Sequence, residues 1–211
     1  MRRSNFDFDI PPVPPRYQSI NRYRDPHSGW VTAKLIPGQL YVCDGSELMT
    51  AVTGACLTVC ASDAVVGCGG MAQFLLSSAE RMLPGATAYD PGHRRAFFML
   101  ERLVSELTRF GAVRSRIRVK LFGAAAVEPE FADACQATVR IARDYMRSEG
   151  IIADRSDLGL LQPRKIMFFP STGKVMVKRL GALRNDTLLE REREYLAQIQ
   201  AETQERKDRP R

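Results

Sequence analysis

The chain has 211 residues, 45% of them hydrophobic, and its 31 lysines and arginines outnumber 24 aspartates and glutamates for a net charge of +7. That length supports one substantial core with extensions, short of two full domains, and the apolar share is ordinary for a globular protein. No apolar run approaches a membrane span, and the N-terminal MRRSNFDFDIPPVPPRYQ puts acids and prolines where a signal peptide needs an apolar stretch, so a soluble, cytoplasmic protein without membrane insertion is expected.

Residues 1–32 are rich in proline, arginine and tyrosine and lack periodicity, which predicts an extended, loosely docked arm. A strand follows over 33–42, broken by the turn at Pro37-Gly38. Residues 52–76, VTGACLTVCASDAVVGCGGMAQFLL, contain two apolar strands, each with one interruption. In the first the interruption is Cys56, after Gly54-Ala55; in the second it is Gln73, between Ala72 and Phe74. A hairpin centred on SDAVVG sets Gln73 opposite Cys56, subject to bulging at Gly67, Gly69 and Gly70.

A helix is expected over 90–110, with Asp90 as cap, Pro91 at its first position, and Ala96, Leu100, Leu103, Leu107 and Phe110 on one face. In RSRIRVK, Arg114, Arg116, Arg118 and Lys120 alternate with apolar residues, predicting a strand with one solvated basic face. No aromatics interleave with those charges for base stacking, so nucleic acid is not an expected partner. A second helix covers 130–148, with Phe131, Ala134, Thr138, Ala142 and Tyr145 on its face. KIMFF and KVMVK flank the turn Pro170-Ser171-Thr172-Gly173 as a hairpin. From Arg184 the chain reads as a charged helix with Leu188, Leu189, Tyr195, Leu196 and Ile199 as its docking edge. The expected organisation is an arm (1–32), one α/β (α+β) domain (33–183) with a strand-rich mixed core and helices packed outside, and a helical tail (184–211).

Cys43, Cys56, Cys60, Cys68 and Cys135 include no C-x-x-C pair, and His27 and His93 lie far from them in sequence. Reduced thiols are expected, with no disulfide framework, metal site or cofactor. Gly54 ahead of a strand-start cysteine leaves backbone N–H groups of Gly54 and Ala55 available to hold an oxyanion beside the sulfur. Cys56 then reads as a nucleophile; the alternative is a small buried hydrophobe, as free cysteines commonly are.

The run T-A-V-T-G-A-C-L-T-V-C, followed by G-G-M-A-Q-F-L-L, resembles the CheD family of chemoreceptor glutamine deamidases. Lys120-Leu121-Phe122-Gly123, Asp157-Leu158-Gly159 and the PSTGKVMVKRL hairpin resemble further motifs of that family in the same order, as does the lead-in NRYRDPHSGW…LIPGQLYV. The resemblance covers about residues 21–200 and implies a CheD-like sandwich. It also implies hydrolysis of glutamine side-chain amides on methyl-accepting chemotaxis receptors through a cysteine thioester. Carried over by position, Cys56 is the nucleophile and Thr50 the orienting threonine. The family's histidine falls on Gln73, which cannot act as a base. His93 is the candidate surrogate. Further family positions depart: the serine before the nucleophile is Ala55, a second glycine after phenylalanine is Ala124, a glycine after aspartate-leucine-glycine is Leu160, and the isoleucine-glycine-x-arginine-asparagine that opens the second helix reads Ala134-Cys135-Gln136-Ala137-Thr138. The alternative implied function is a non-catalytic relative that binds chemoreceptors or a CheC-type phosphatase.

Overall fold

A computed structural model of the chain describes residues 10–76, 91–181 and 187–208. The described residues form β1 (Asn21–Arg24), β2 (Val31–Leu35), β3 (Leu40–Cys43), β4 (Leu48–Thr53), β5 (Leu57–Asp63) and β6 (Cys68–Phe74), then α1 (Pro91–Arg109) and β7 (Arg118–Gly123). After these come α2 (Ala132–Ser148), β8 (Ile152–Leu158), β9 (Arg164–Phe169), β10 (Lys174–Arg179) and α3 (Thr187–Asp208). The strands divide into two five-stranded sheets, ordered β1-β2-β4-β9-β10 and β3-β6-β5-β7-β8. Each sheet mixes antiparallel neighbours with one parallel pair, β2 with β4 in the first and β7 with β8 in the second. The expected α/β (α+β) architecture is the one observed.

Two adjacent glycines show how the layers stack. A β-carbon on Gly69 would meet Pro170 of the β9–β10 turn at 2.9 Å, whereas one on Gly70 would meet Leu103 of α1 at 2.8 Å. Successive residues of β6 therefore face opposite layers. The second sheet is the middle of three, with the first sheet on one side and α1 and α2 on the other. Because both its faces are covered, β5 and β6 are buried along their whole length. This is why they read as continuous apolar runs without alternation.

Several local expectations need correction. The single strand expected over 33–42 is two: the turn at Pro37-Gly38 moves the chain from β2 in one sheet to β3 in the other. The hairpin register is shifted by two residues, with Gln73 opposite Thr58 and Leu57 opposite Phe74. The cause is a tight connection, in which Asp63 pairs with Cys68 and Gly67, at φ +79°, donates its N–H to Asp63. RSRIRVK is not a solvated basic strand either. Arg114–Arg116 form a turn of 3₁₀ helix, and β7 is an interior strand between β5 and β8. Its charges are half-exposed and paired: Arg116 with buried Asp63, Arg114 with Glu101 and Glu149, Arg118 with Asp154, and the Lys120 ammonium donating to the Gly173 carbonyl at 2.6 Å.

Within the stretch expected to be an arm, β1 is an edge strand. Arg22 pairs with buried Glu47, whose carboxylate also accepts the Tyr41 hydroxyl at 3.0 Å, and Tyr17 packs edge-on against the Tyr41 ring. The helices expected over 90–110 and 130–148 are α1 and α2. Asp90 lies outside the described residues.

Candidate active site

Cys56 lies in the three-residue link between β4 of the first sheet and β5 of the second, so the chain changes layers at the sulfur. Four contacts fix this link from below. The Thr53 hydroxyl donates to the Cys56 carbonyl at 2.5 Å, and the Ala124 N–H donates to the same oxygen at 3.0 Å. The Ala125 N–H donates to the Gly54 carbonyl at 2.8 Å, and the Cys135 thiol to the Ala55 carbonyl at 3.3 Å. With the three carbonyls held underneath, the three N–H groups of Gly54, Ala55 and Cys56 face the other way and converge.

What they converge on is a carboxylate. Glu192 of α3 is fully buried, and its Oε1 accepts from Gly54 at 2.9 Å and from Cys56 at 3.0 Å while its Oε2 accepts from Ala55 at 2.8 Å. A β-carbon at position 54 would sit 2.7 Å from Oε2, so glycine there is what leaves room for the oxygen. Backbone donors aimed at one point form an oxyanion-type cradle, and this one sits beside a sulfur. Burial, then the neighbouring Glu192 charge, push the Cys56 thiol well above its ordinary range. Burial and Glu192 likewise push Cys135 up to about 12. With Glu192 seated, the sulfur is held as a neutral thiol.

Thr50, on β4, spends its hydroxyl on the Ile166 carbonyl of β9 at 2.7 Å. Gln73 is buried; its Nε2 donates to the Val52 carbonyl at 2.9 Å, and its Oε1 has no hydrogen-bond partner among the described residues. His93 falls in the first turn of α1, and its side chain lies outside the described residues. The residue that sequence reasoning missed is Glu192. The signal for it is helical spacing: 188, 192, 195, 196 and 199 share one edge, and a glutamate inside that otherwise apolar stripe has to be accounted for.

Two departures from family glycine, at 124 and 160, have a visible backbone consequence. Ala124 and Leu160 are the described non-glycine residues with positive φ, at +49° and +62°. A side chain in the left-handed region costs roughly 1–2 kcal/mol, partly offset by the extra unfolded-state freedom that glycine brings. Ala124→Gly and Leu160→Gly are each expected to raise stability by up to about 1 kcal/mol, read from urea melts with unchanged slope. A loss of stability in both would contradict the left-handed conformations.

A three-layer domain with a cysteine set against a backbone anion cradle is the class that fold and site define. The chain belongs to the CheD family. The family profile described as CheD chemotactic sensory transduction matches residues 82–179, a span that begins after Cys56. Relatives align over far more. One from Halorhodospira halophila, named probable chemoreceptor glutamine deamidase CheD, is 34% identical over 200 residues, covering 90% of this chain and 89% of its own. A protein of the same name from Hydrogenovibrio crunogenus is 34% identical, covering 83% and 91%. Another from Dechloromonas aromatica, named probable chemoreceptor glutamine deamidase CheD 1, is 35% identical, covering 86% and 89%. A crystal structure of a Neisseria meningitidis protein of family DUF152 is loosely similar, with a TM-score of 0.38, 13% identity, and 65% and 62% coverage.

Proposed function

We propose that this chain is a protein-glutamine deamidase of chemotaxis, converting glutamines on the cytoplasmic helices of methyl-accepting receptors to glutamates. Cys56 is the nucleophile. Its sulfur attacks the side-chain carboxamide carbon, and the Gly54, Ala55 and Cys56 N–H groups take the developing oxyanion. The carbon–nitrogen bond then breaks; the amide nitrogen leaves as ammonia, carrying the thiol proton. Water hydrolyses the thioester, returning the thiol and leaving a γ-carboxylate.

The observation that supports this most directly is the glutamate carboxylate in the cradle beside Cys56, since a glutamate carboxylate is also the product of the reaction. Gln73 supplies hydrogen bonding rather than proton transfer, a loss that typically costs 10²- to 10⁴-fold in rate. Thr50 orients through the backbone it ties to β9, and His93 is the proposed surrogate base. A CheC-type phosphatase is proposed as a second partner on the resemblance alone. Among the described residues no helix is long and apolar enough to cross a membrane.

The experiment is mass spectrometry of a glutamine-bearing receptor fragment incubated with the protein. Amide-to-acid conversion is expected with the wild type, none with Cys56→Ala, and conversion faster by about 10²-fold or more with Gln73→His. A fragment that is bound but never converted, even by Gln73→His, would make the chain a receptor-binding protein instead.

A further inference from the structure

The helix that brings Glu192 into the cradle is an unusual piece of this fold. Of its described side chains only Glu192 and Ile199 are buried; the rest are exposed or half-covered. Tyr195 and Leu196 rest on the cluster of Ala55, Cys56, Leu75, Ala124 and Phe131, and the Tyr195 ring crosses Gly38 so closely that a β-carbon there would meet it at 2.8 Å. Residues 192, 195, 196 and 199 form one stripe at helical spacing, and that stripe lies over the sulfur. Solvent-facing ion pairs, Arg193 with Glu130 at 2.7 Å and Arg95 with Glu202 at 2.8 Å, flank it. The seating is incomplete at the helix start, where a gap of about 300 Å³ remains between Thr187, Leu188 and Arg191 and the Lys34–Pro37 turn.

A buried carboxylate held by three main-chain donors is an odd way to anchor a helix. An apolar side chain would fill the space without desolvating a charge. It is the expected arrangement if the cradle exists to bind a side-chain carboxyl or carboxamide carried on a helix. We propose that α3 is an intramolecular occupant of the Cys56 site: Glu192 takes the place of the glutamate product, and α3 must be displaced before a receptor helix can be processed. The proposal rests on the deamidase reading for its second half. The first half, that α3 caps Cys56, stands on the geometry alone. Both oxygens of Glu192 are engaged, Oε1 by two donors and Oε2 by one. A carboxamide there would keep its carbonyl oxygen at the doubly bonded position and lose the bond from the Ala55 N–H, because an amide nitrogen donates and does not accept.

The test uses the full chain. Iodoacetamide labelling of Cys56 is compared between wild type and Glu192→Ala, with unfolding curves taken on both. Labelling is expected to be slow in the wild type and faster by about tenfold or more in the variant, because undocking opens the sulfur. Leu196→Ala loosens α3 without touching the cradle and is expected to fall between them, so the comparison survives if Glu192→Ala does not fold. Equal rates in all three overturn the capping.

In parallel, Glu192→Gln presents a carboxamide to the cradle. It is expected to revert to glutamate at a rate independent of protein concentration, and not in the double variant Glu192→Gln/Cys56→Ala. Persistence of Gln at 192 in a protein that converts receptor glutamines would overturn the product-mimic placement. Fast labelling of Glu192→Ala with no conversion of either position 192 or the receptor fragment would sustain the cap and sink the deamidase reading. Receptor conversion at one rate in wild type and Glu192→Ala, with equal labelling, would do the reverse.

Discussion

Replacing Asp157 by alanine is expected to destabilise the protein by about 3–5 kcal/mol, the cost of leaving a buried charge without its partner. The partner is Arg164, whose side chain is fully enclosed and whose Nη2 donates to Asp157 at 2.9 Å. The same nitrogen reaches the Gly159 carbonyl at 2.9 Å and Nη1 the Gln162 carbonyl at 3.0 Å, so the guanidinium is held by three acceptors of which only one is charged. Arg179 approaches the same carboxylate from the surface. These contacts give the aspartate-leucine-glycine motif a structural job: it ties the end of β8 in the middle sheet to the start of β9 in the outer one.

The hydrogen bond from Arg164, then its charge, hold the Asp157 carboxyl below the usual range. A depressed carboxyl contributes stability above its unfolded-state pKa and loses it as pH falls through the folded value. The gap in melting temperature between wild type and Asp157→Ala should therefore be full at neutral pH and narrow below about pH 4. A gap that stays constant into acid would mean the loss is one of packing rather than charge.

Gly123→Ala is expected to damage both fold and site. Gly123 has φ +96°, and a β-carbon on it would lie 2.3 Å from the Cys56 carbonyl oxygen and 2.6 Å from the Thr53 hydroxyl. The left-handed strain costs roughly 1–2 kcal/mol and the overpacking about 1–3 more. The atom that has to give way is the carbonyl oxygen of Cys56, the nucleophile of the proposed reaction. Because displacement of a reacting group by an ångström is enough to cost about 10²-fold, receptor conversion by the folded fraction should fall by that order. Urea melts together with conversion per folded molecule check this. Activity that declines only in proportion to the unfolded fraction would show that the link from Gly54 to Cys56 moves freely of β7.

The helices and seven of the ten described strands were readable because most carry their own punctuation, whereas β1, β4 and β8 were not expected as strands. Gly111 and Gly150 end helices, and Pro170 to Gly173 turn a hairpin. What could not be read locally was which sheet a strand joins. The Pro37-Gly38 turn looks the same whether it bends one strand or passes the chain between layers, and only long-range pairing of β2 with β4 and of β3 with β6 decides it. The register of Gln73 failed for a related reason, since a connector can be one turn or a turn plus a bulge with nearly the same residues. Interior placement of RSRIRVK was hidden because alternation of charge and apolarity looks alike whether the charges meet water or, as Lys120 does, a carbonyl across the layer. Within the site, spacing drew attention to Gly54 and the N–H groups ahead of Cys56, while the catalytic role of Cys56 came from the family resemblance and not from its own surroundings. Glu192 was not legible, because 136 residues separate it from the N–H of Cys56, and a charged tail helix gives no sign of which carboxylate turns inward.

The cradle at the junction of the two sheets is made of main chain. Every residue but proline supplies an N–H, so the anion-holding part of the site does not record which side chains surround it, apart from the bare Cα at 54. On the proposed reading, a change of side chain at 73 touches proton transfer and leaves these three N–H groups in place. A chain with this fold can therefore change the side chains around the cradle and still grip the same group. Inheritance of binding is decoupled from inheritance of rate.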